Sequence, residues 1–283
     1  MTNTARDQHG EVPSDIRLIL RRLAFPILAT YIFLPLIYLV PVLDSTREPY
    51  FDLNARHALW AYGITETGGT IGAPIVGMLL LGLLVTRAGV SKKRRLIDAA
   101  LIFGFAVILA GGGAALNEYV TKPFFKVPRP NLVYLAGTDG SGPLGMPVRE
   151  FYAFDTETRR QHLSAVLEGT PPAVRLHPLI RAHWVESTGY SFPSGHAISA
   201  MFFATFFLAI GLSRLSRPRR RLLYLLLPWA VCVCYSRAIL RVHTPMDIAV
   251  GGLEGLVLGV LAFVLTQASL TAVMHKISSE PKS

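Results

Sequence analysis

The stretch DIAVGGLEGLVLGVLAFVLTQASL, residues 247–270, decides the fold of this chain. It exceeds the roughly 20 apolar residues that a helix needs to cross the hydrocarbon core of a bilayer, so it predicts a membrane-spanning helix. Gly251, Gly255 and Gly259 recur every four residues and leave a groove into which a neighbouring helix can pack closely. That neighbour can belong to the same chain or to a second copy, so the sequence leaves the oligomeric state open.

Five further apolar runs precede this stretch and predict five more spans, at residues 23–43, 69–86, 96–119, 196–212 and 222–235. Only 16% of the residues are charged, whereas about a quarter of the residues of a soluble protein are charged. The predicted fold class is therefore an all-α integral membrane protein with six transmembrane helices. We expect one membrane domain, residues 23–270, between polar tails at 1–22 and 271–283.

The basic residues indicate which way these helices cross the membrane. Two short loops, residues 87–95 and 214–221, each carry five basic residues and no acidic residue, as cytoplasmic loops usually do. With six spans, both termini are then cytoplasmic, and the connections 44–68, 122–194 and 236–246 face outward. This distribution accounts for the net charge of +10 without a nucleic-acid partner. Membrane lipids are the expected neighbours.

The longest polar stretch lies between the third and fourth predicted spans. Residues 131–190 predict an outward-facing loop that is partly helical. Asp155 is suited to cap a short helix that ends near Gly169, and Pro171-Pro172 stops that helix.

Residues with reactive or phosphate-binding side chains collect at the outward-facing ends of the predicted helices. Three clusters are involved: KPFFKVPRP at 122–130, PSGH at 193–196 and SRAILRVHTPMD at 236–247. Because all three lie on the same predicted face of the membrane, we expect them to form one site. The candidate site residues are Lys122, Arg129, Ser194, Gly195, His196, Arg237, His243 and Asp247.

The cationic residues of these clusters favour a doubly negative ligand. Two arginines and a lysine can hold a dianion by several charge-assisted hydrogen bonds, and the planar guanidinium group suits phosphate oxygens. Ser194 and the Gly195 amide, at the start of the predicted fourth span, add neutral donors where the helix dipole favours an anion.

The two histidines supply a nucleophile and an acid, so that one attacks phosphorus and the other protonates the leaving oxygen. His243 and Asp247 are four residues apart and share one face of a helix. The carboxylate can then hold one ring nitrogen while the other stays free. No cluster of carboxylates or cysteines with metal-ligand spacing accompanies them. We therefore expect neither a metal ion nor another cofactor, with arginine and lysine stabilising the developing charge.

The order and internal spacing of the three clusters resemble the motifs of the type 2 phosphatidic acid phosphatase superfamily. The matching residues are Lys122-x6-Arg129-Pro130, then Pro193-Ser194-Gly195-His196, then Ser236-Arg237-x5-His243-x3-Asp247. Within that superfamily the chain looks like the bacterial phosphatidylglycerophosphatase B branch, through Thr65-Glu66-Thr67, Glu150-Phe151-Tyr152, His183-Trp184 and Thr188-Gly189-Tyr190. It departs from that branch just before Thr188, where Ser187 replaces an expected acidic residue and Glu186 lies one place earlier.

The resemblance implies a metal-independent lipid phosphate phosphatase of the bacterial inner membrane, with its site at the periplasmic face. It implies that His243 is the nucleophile and forms a phosphohistidine, that Asp247 orients it, and that His196 protonates the leaving group and then activates water. It also implies phosphate binding by Lys122, Arg129, Ser194, Gly195 and Arg237. The expected substrates are phosphatidylglycerophosphate, phosphatidic acid, lysophosphatidic acid and polyprenyl pyrophosphate.

Two other functions are compatible with the sequence. A phosphohistidine can pass its phosphoryl group to a lipid or sugar hydroxyl, which would make the chain a membrane phosphotransferase. A lipid transporter that binds without reacting is the third candidate, because ionisable residues within spans also occur in transporters. The spacing of His243 and Asp247 and the lack of an inverted repeat favour an enzyme. Glu254, two turns beyond Asp247, is expected to be a buried hydrogen-bond partner.

Overall fold

The computed structural model describes residues 16–36, 52–87, 89–169 and 174–279. All regular structure within these ranges is helical, with no β-strand, so the predicted all-α class is confirmed. Parts of the predicted tails, of the first span and of the first outward connection fall outside the described residues, as do Pro171 and Pro172. The tail boundaries therefore stay predictions.

The helices are, in chain order, α1 (Ile16–Phe33), α2 (Ala58–Thr67), α3 (Gly72–Val85), α4 (residues 92–125), α5 (Pro130–Ala136), α6 (Val148–Phe151), α7 (Thr156–Glu168), α8 (Pro178–Glu186), α9 (Gly195–Arg214), α10 (Arg217–Leu223), α11 (Leu226–Ile239) and α12 (Pro245–Ser279). Helix α4 runs through two π-helical segments, Val107–Gly111 and Asn117–Thr121. The second segment ends directly before Lys122, and π-helical turns are frequent beside functional residues.

Four helical stretches of the described chain are long and apolar enough to cross a membrane: Lys92–Ala136, Gly195–Arg214, Arg217–Ile239 and Pro245–Ile277. A fifth results if α2 and α3, which meet at a bend of 59°, count as one span. These stretches overlap the five predicted spans that follow residue 68. A membrane location is thereby supported, whereas the six-span count and the sidedness of the loops stay predictions.

Helix α2 lies within the connection 44–68, for which no helix was predicted. Its buried residues are Ala58, Ala61 and Thr65, and it contacts α11. A helix that buries such small side chains has little hydrophobic contrast between its faces, so the pattern of apolar residues did not reveal it.

Helix α9 lies at the centre of the bundle. All of its residues from Ala200 to Ser213 are buried, and it contacts α1, α3, α11 and α12. The Ser194 hydroxyl caps its first turn by accepting a hydrogen bond from the Ala197 amide at 3.5 Å. A helix that is apolar on all sides is a core element, so the other helices are arranged around this one.

The glycine face of the last span packs against α9 of the same chain. A Cβ added at Gly251 would lie 2.6 Å from the Ser194 carbonyl oxygen, and one at Gly255 would lie 2.2 Å from the Ile198 carbonyl oxygen. At Gly259, too, there is no room for an added Cβ. Only glycine permits so close an approach of two backbones. We call this contact the glycine seam.

The region 131–190 folds into a small helical layer over one end of the bundle. Its apolar core contains Leu132, Leu135, Leu144, Phe151, Leu163, Ile180 and Trp184, together with Leu240 and Val242. The Trp184 indole donates a hydrogen bond to the Leu240 carbonyl at 2.9 Å. Asp155 caps α7 by accepting bonds from the next helical amides at 2.9 and 3.0 Å. Helix α7 thus begins and ends where the sequence predicted.

The glycine seam predicts a sharp sensitivity to added volume at Gly255. A methyl group there must push the α9 backbone away, and such overpacking costs about 1–3 kcal/mol. We expect Gly255→Ala to lower the midpoint of thermal unfolding of the detergent-solubilised protein. Gly82→Ala is the matched control, since nothing lies within 4 Å of its added Cβ. Equal unfolding midpoints for the two variants would contradict this account of the seam.

Candidate active site

The ends of α4, α9, α11 and α12 that were predicted to face outward meet beneath the helical layer, and we call this region the outer end. Backbone hydrogen bonds hold the segments together there. The Ser194 amide donates to the Asp247 carbonyl at 3.0 Å, and the Asn131 amide donates to the Arg241 carbonyl at 2.9 Å. The three polar clusters thus lie side by side.

His243 lies at the centre of these clusters and is only 3% exposed. Its Nδ1 is 3.5 Å from Oδ2 of Asp247, and its Nε2 is 3.3 Å from Nη1 of Arg129. A guanidinium group only donates hydrogen bonds, so Nε2 is the unprotonated nitrogen and Nδ1 carries the proton. Nδ1 faces the carboxylate but forms no hydrogen bond with a described residue. Burial, reinforced by Arg129 and Arg237, lowers the pKa of His243 well below its ordinary value. The ring is therefore neutral near pH 7, with a lone pair at Nε2.

Asp247 is held by reciprocal hydrogen bonds with Thr244. Its Oδ2 accepts from the Thr244 amide at 2.8 Å, and its own amide donates to the Thr244 hydroxyl at 3.2 Å. This arrangement resembles a capping box and fixes the first turn of α12, which begins at Pro245. The carboxylate that caps the helix also faces the imidazole, so the helix start sets the orientation of His243.

Arg129 is positioned by carbonyl groups rather than by carboxylates. Its Nε donates to the Gly189 carbonyl at 2.8 Å, and its Nη1 donates to the Val242 carbonyl at 3.0 Å. Its amide donates to the Tyr152 hydroxyl at 3.2 Å, and burial raises the pKa of Tyr152. No carboxylate of the described chain forms an ion pair with this buried guanidinium, so its charge stays available to an anion.

Arg237 is fixed by two neighbours from distant parts of the chain. Its Nη1 lies 2.7 Å from the Thr65 hydroxyl oxygen and 3.0 Å from Nε2 of His183. Burial and the charges of Arg237 and Arg129 lower the pKa of His183 to about 3. His183 is therefore a neutral acceptor for the guanidinium, and its Nδ1 faces the Glu66 carboxylate at 3.5 Å.

Lys122 lies at the end of α4 and is largely buried. Its Nζ donates to Oε2 of Glu118 at 2.5 Å. The Glu118 side chain is 55% exposed, so the pair is partly solvated and contributes little to stability. A phosphate that enters the site can compete with this carboxylate for the ammonium group.

A cavity of about 740 Å³ connects the outer end to the apolar space between α3, α4 and α9. Its polar end is formed by Lys122, Gly195, His196 and His243. Its apolar walls include Ala73, Gly77, Leu81, Phe103, Ala106, Ala110, Phe203 and Phe207. The other predicted site residues, Arg129, Ser194, Arg237 and Asp247, do not line this cavity and are buried. The cavity can therefore hold a ligand with a charged group and an apolar tail.

Two further predictions from the sequence concern a metal ion and Glu254. Within the described ranges, no group of three or more histidine, cysteine, aspartate or glutamate side chains lies close enough to hold a metal ion. Glu254 is half-buried in α12 and forms no hydrogen bond with another described residue, so the expected hydrogen-bond partner was not found.

Comparison with known proteins agrees with this geometry. The profile of the PAP2 superfamily matches residues 99–270, a range that includes every predicted site residue. The chain belongs to the PAP2 superfamily.

Curated relatives narrow its position within the PAP2 superfamily. The chain is similar to phosphatidylglycerophosphatase B of Escherichia coli (strain K12), with 32% identity over 209 residues that cover 73% of this chain and 75% of the relative. The phosphatidylglycerophosphatase B of Haemophilus influenzae is 28% identical over 222 residues, 76% of this chain and 84% of the relative. Dolichyldiphosphatase 1 of Mus musculus is 32% identical over 111 residues, 36% of this chain and 47% of the relative. The chain therefore lies on the phosphatidylglycerophosphatase B-like branch, and the expected phosphatase class is supported.

Some residues of this PAP2 site were not assigned a role from the sequence. Glu118 was overlooked, although its position four residues before Lys122 is a recognisable helical pair. His183 and Thr65 entered only as points of resemblance. Each lies far in sequence from Arg237, so no local pattern could have indicated that they position its guanidinium.

The neutral state of His183 predicts how stability depends on pH. The folded protein keeps this ring neutral down to about pH 3, whereas the unfolded chain protonates it near its ordinary pKa of 6.5. Unfolding therefore takes up a proton below about pH 6.5, so the free energy of unfolding falls as the pH is lowered. The contribution is at most about 1.4 kcal/mol per pH unit.

We expect His183→Gln, which keeps a neutral acceptor but cannot be protonated, to show a shallower loss of stability between pH 6.5 and pH 4.5 than the wild type. Thermal unfolding midpoints measured across this range provide the test. Identical pH dependence in the two proteins would contradict the assigned neutral state.

Proposed function

We propose that this chain is a membrane lipid phosphate phosphatase that works through a phosphohistidine on His243 and without a metal ion. The observation that carries the proposal is the state of His243: a buried, neutral ring whose Nδ1 faces Asp247 and whose Nε2 adjoins a guanidinium group at the polar end of the cavity. Such a nitrogen is a nucleophile already in its reactive protonation state.

In the first step, Nε2 of His243 attacks phosphorus while the bond from phosphorus to the leaving oxygen breaks. His196, which also lines the cavity, donates a proton to that oxygen. Asp247 stabilises the positive ring that results, because its carboxylate faces the proton on Nδ1. In the second step, His196 accepts a proton from water while the water oxygen attacks phosphorus. The bond from phosphorus to Nε2 of His243 breaks, its electron pair returns to the ring, and inorganic phosphate leaves.

Cationic groups balance the charge that develops on the phosphoryl oxygens. Arg129 donates to Nε2 of His243 and can redirect that N–H to a phosphoryl oxygen. Arg237 keeps a buried Nε that has no partner among the described residues. Lys122 and the Gly195 amide, at the start of α9, complete the set. Ser194 serves as the helix cap that holds this amide in place.

The form of the cavity supports a lipid substrate. Its charged end can receive a phosphomonoester or pyrophosphate, and its apolar walls can receive an acyl or polyprenyl chain. Phosphatidylglycerophosphate, phosphatidic acid and polyprenyl pyrophosphate are the substrates we propose. Location in a bacterial inner membrane, with the outer end in the periplasm and both termini in the cytoplasm, belongs to the same proposal and follows from the basic loops.

The mechanism predicts that His243→Ala abolishes phosphate release from phosphatidic acid, with a loss greater than about 10⁴-fold, because the nucleophile is removed. His57→Ala is the matched control, since His57 is an exposed histidine outside the site, and it should retain near-normal turnover. Purified protein in detergent, assayed with and without a chelator, provides the measurement. Near-normal release by His243→Ala would overturn the mechanism, and strong inhibition by the chelator would overturn its metal independence.

The same assay with substrate labelled in its phosphate separates hydrolysis from transfer. The phosphatase proposal requires the label to appear in inorganic phosphate after passing through an acid-labile adduct on the protein. Label that accumulates in an acceptor lipid or sugar would instead identify a phosphotransferase, and binding without any turnover would identify a transporter.

The apolar walls predict a selective effect on long-chain substrates. We expect Ala110→Trp, which fills the space between α4 and α9, to lower kcat/KM for a long-chain phosphatidic acid by about tenfold, the equivalent of about two buried methylene groups. Turnover of a small water-soluble phosphomonoester should change little. Leu79→Trp is the matched control, because Leu79 is 70% exposed on the outside of α3. An equal loss for both substrates would show that the cavity does not receive the chain.

A further inference from the structure

A second cavity, also of about 740 Å³, lies at the opposite end of the helices, which we call the inner end. The side chains that line it include Arg87, Arg94, Ser213, Arg214, Gln267 and Thr271. Helix α9 links the two cavities, because it begins beside the outer end and finishes at Arg214. Its 20 residues correspond to about 30 Å of helix. The inner cavity is therefore a separate site.

Positive charge exceeds negative charge in this inner cavity. Asp98 does not line the cavity but is a buried carboxylate that pairs with two of the lining arginines, and both of its oxygens are engaged. Oδ2 pairs with Arg87, and Oδ1 accepts from Nε of Arg94 at 3.0 Å. One carboxylate thus pairs with two guanidinium groups. Arg214 has no acidic partner among the described residues.

Among the described residues, the hydrogen-bond partner of Arg214 is a neutral side chain. Its Nη2 donates to Oε1 of Gln267 at 2.8 Å, and its Nε is buried without a hydrogen-bond partner in the described chain. Burial, followed by the charges of Arg214, Arg94 and Arg95, lowers the pKa of Arg87 to about 10. Arg214 is half-buried, but its Nε is shielded from solvent, and a shielded donor without a partner is unfavourable unless an acceptor satisfies it.

A purely structural role as a membrane anchor does not account for this arrangement. Arginine and lysine anchors extend their charged groups into water, as the exposed Arg217, Lys92 and Lys93 do nearby. Arg214 instead turns its Nε away from solvent and borders a space large enough for a ligand. Basic pockets between transmembrane helices on the cytoplasmic side are a recognised way to bind phosphate head groups.

We propose that the inner cavity binds a phosphate-bearing anion, with Arg214 as its main ligand and Arg87 and Arg94 adding positive charge. A guanidinium fork matches the geometry of phosphate oxygens. The phosphate can come from the head group of an anionic bilayer lipid or from a free phosphate ion. This proposal does not rest on the function proposed for the outer end, because the two sites share no side chain.

The test compares wild-type protein with Arg214→Gln in detergent, with either phosphatidylglycerol or inorganic phosphate added. Phosphatidylglycerol is a phosphodiester, so a phosphomonoesterase leaves it intact. Binding is read from the rise in thermal unfolding midpoint and from lipid adducts in native mass spectrometry. Arg217→Gln is the matched control, because it removes the same charge from an exposed position nearby. Phosphatase turnover at the outer end reports whether each variant is folded.

We expect wild type and Arg217→Gln to respond alike, and Arg214→Gln to bind about tenfold more weakly, a loss of about 1.4 kcal/mol. Thr271→Trp fills the cavity and keeps every arginine, so it should also lose binding. Because this variant leaves the charge unchanged, it controls for an effect of the lost charge on folding. A response to phosphatidylglycerol alone identifies a lipid head group, and a response to both additives shows that a free phosphate ion is sufficient. No response in the wild type, or the same response in all four proteins, would overturn the proposal.

Discussion

The contact between α9 and α12 is the constraint on which the rest of the structure depends. Glycine on α12 allows its backbone to approach the backbone of α9 closely, and the Ser194 amide joins the Asp247 carbonyl where the two helices begin. His196 stands in the first turn of α9, and His243 lies two residues before the start of α12. One histidine is therefore held by a packed helix and the other by the short connection that leads into one, which favours a preorganised site.

At the outer end, two buried arginines are hydrogen-bonded to neutral groups. Arg129 and Arg237, the buried guanidinium groups, are held by carbonyl, hydroxyl and imidazole acceptors, all of them neutral. Neutral acceptors fix the position of a cation without cancelling its charge, so the field remains directed at an incoming anion. The same field favours the neutral form of His243. In the proposed mechanism, the charges that would attract a phosphate thus also keep the His243 ring unprotonated.

Much of this arrangement could be predicted from the sequence, and the parts that could not share a physical cause. The spans after residue 68 are long apolar runs, so hydropathy predicted them. Each of the three clusters is short, so the spacing within it indicated the candidate site residues. The glycine spacing likewise predicted a close helix contact, although the identity of the partner helix required the structure. Contacts that join distant segments left no local signal, as with His183 and Arg237, which are 54 positions apart. Helix α2 was missed because it buries small residues.

The hydrogen bonds of Arg129 limit where the chain can gain or lose residues. Its guanidinium group is tied to Gly189, at the end of the helical layer, and to Val242, in the short connection before α12. Any insertion or deletion that displaces Gly189 would therefore act directly on the Arg129 guanidinium group. Helix α7 is tied to the same segment, because Nη1 of Arg159 donates to the Thr188 carbonyl at 2.8 Å. The length of the chain between α7 and Gly189 is thus constrained by both arginines.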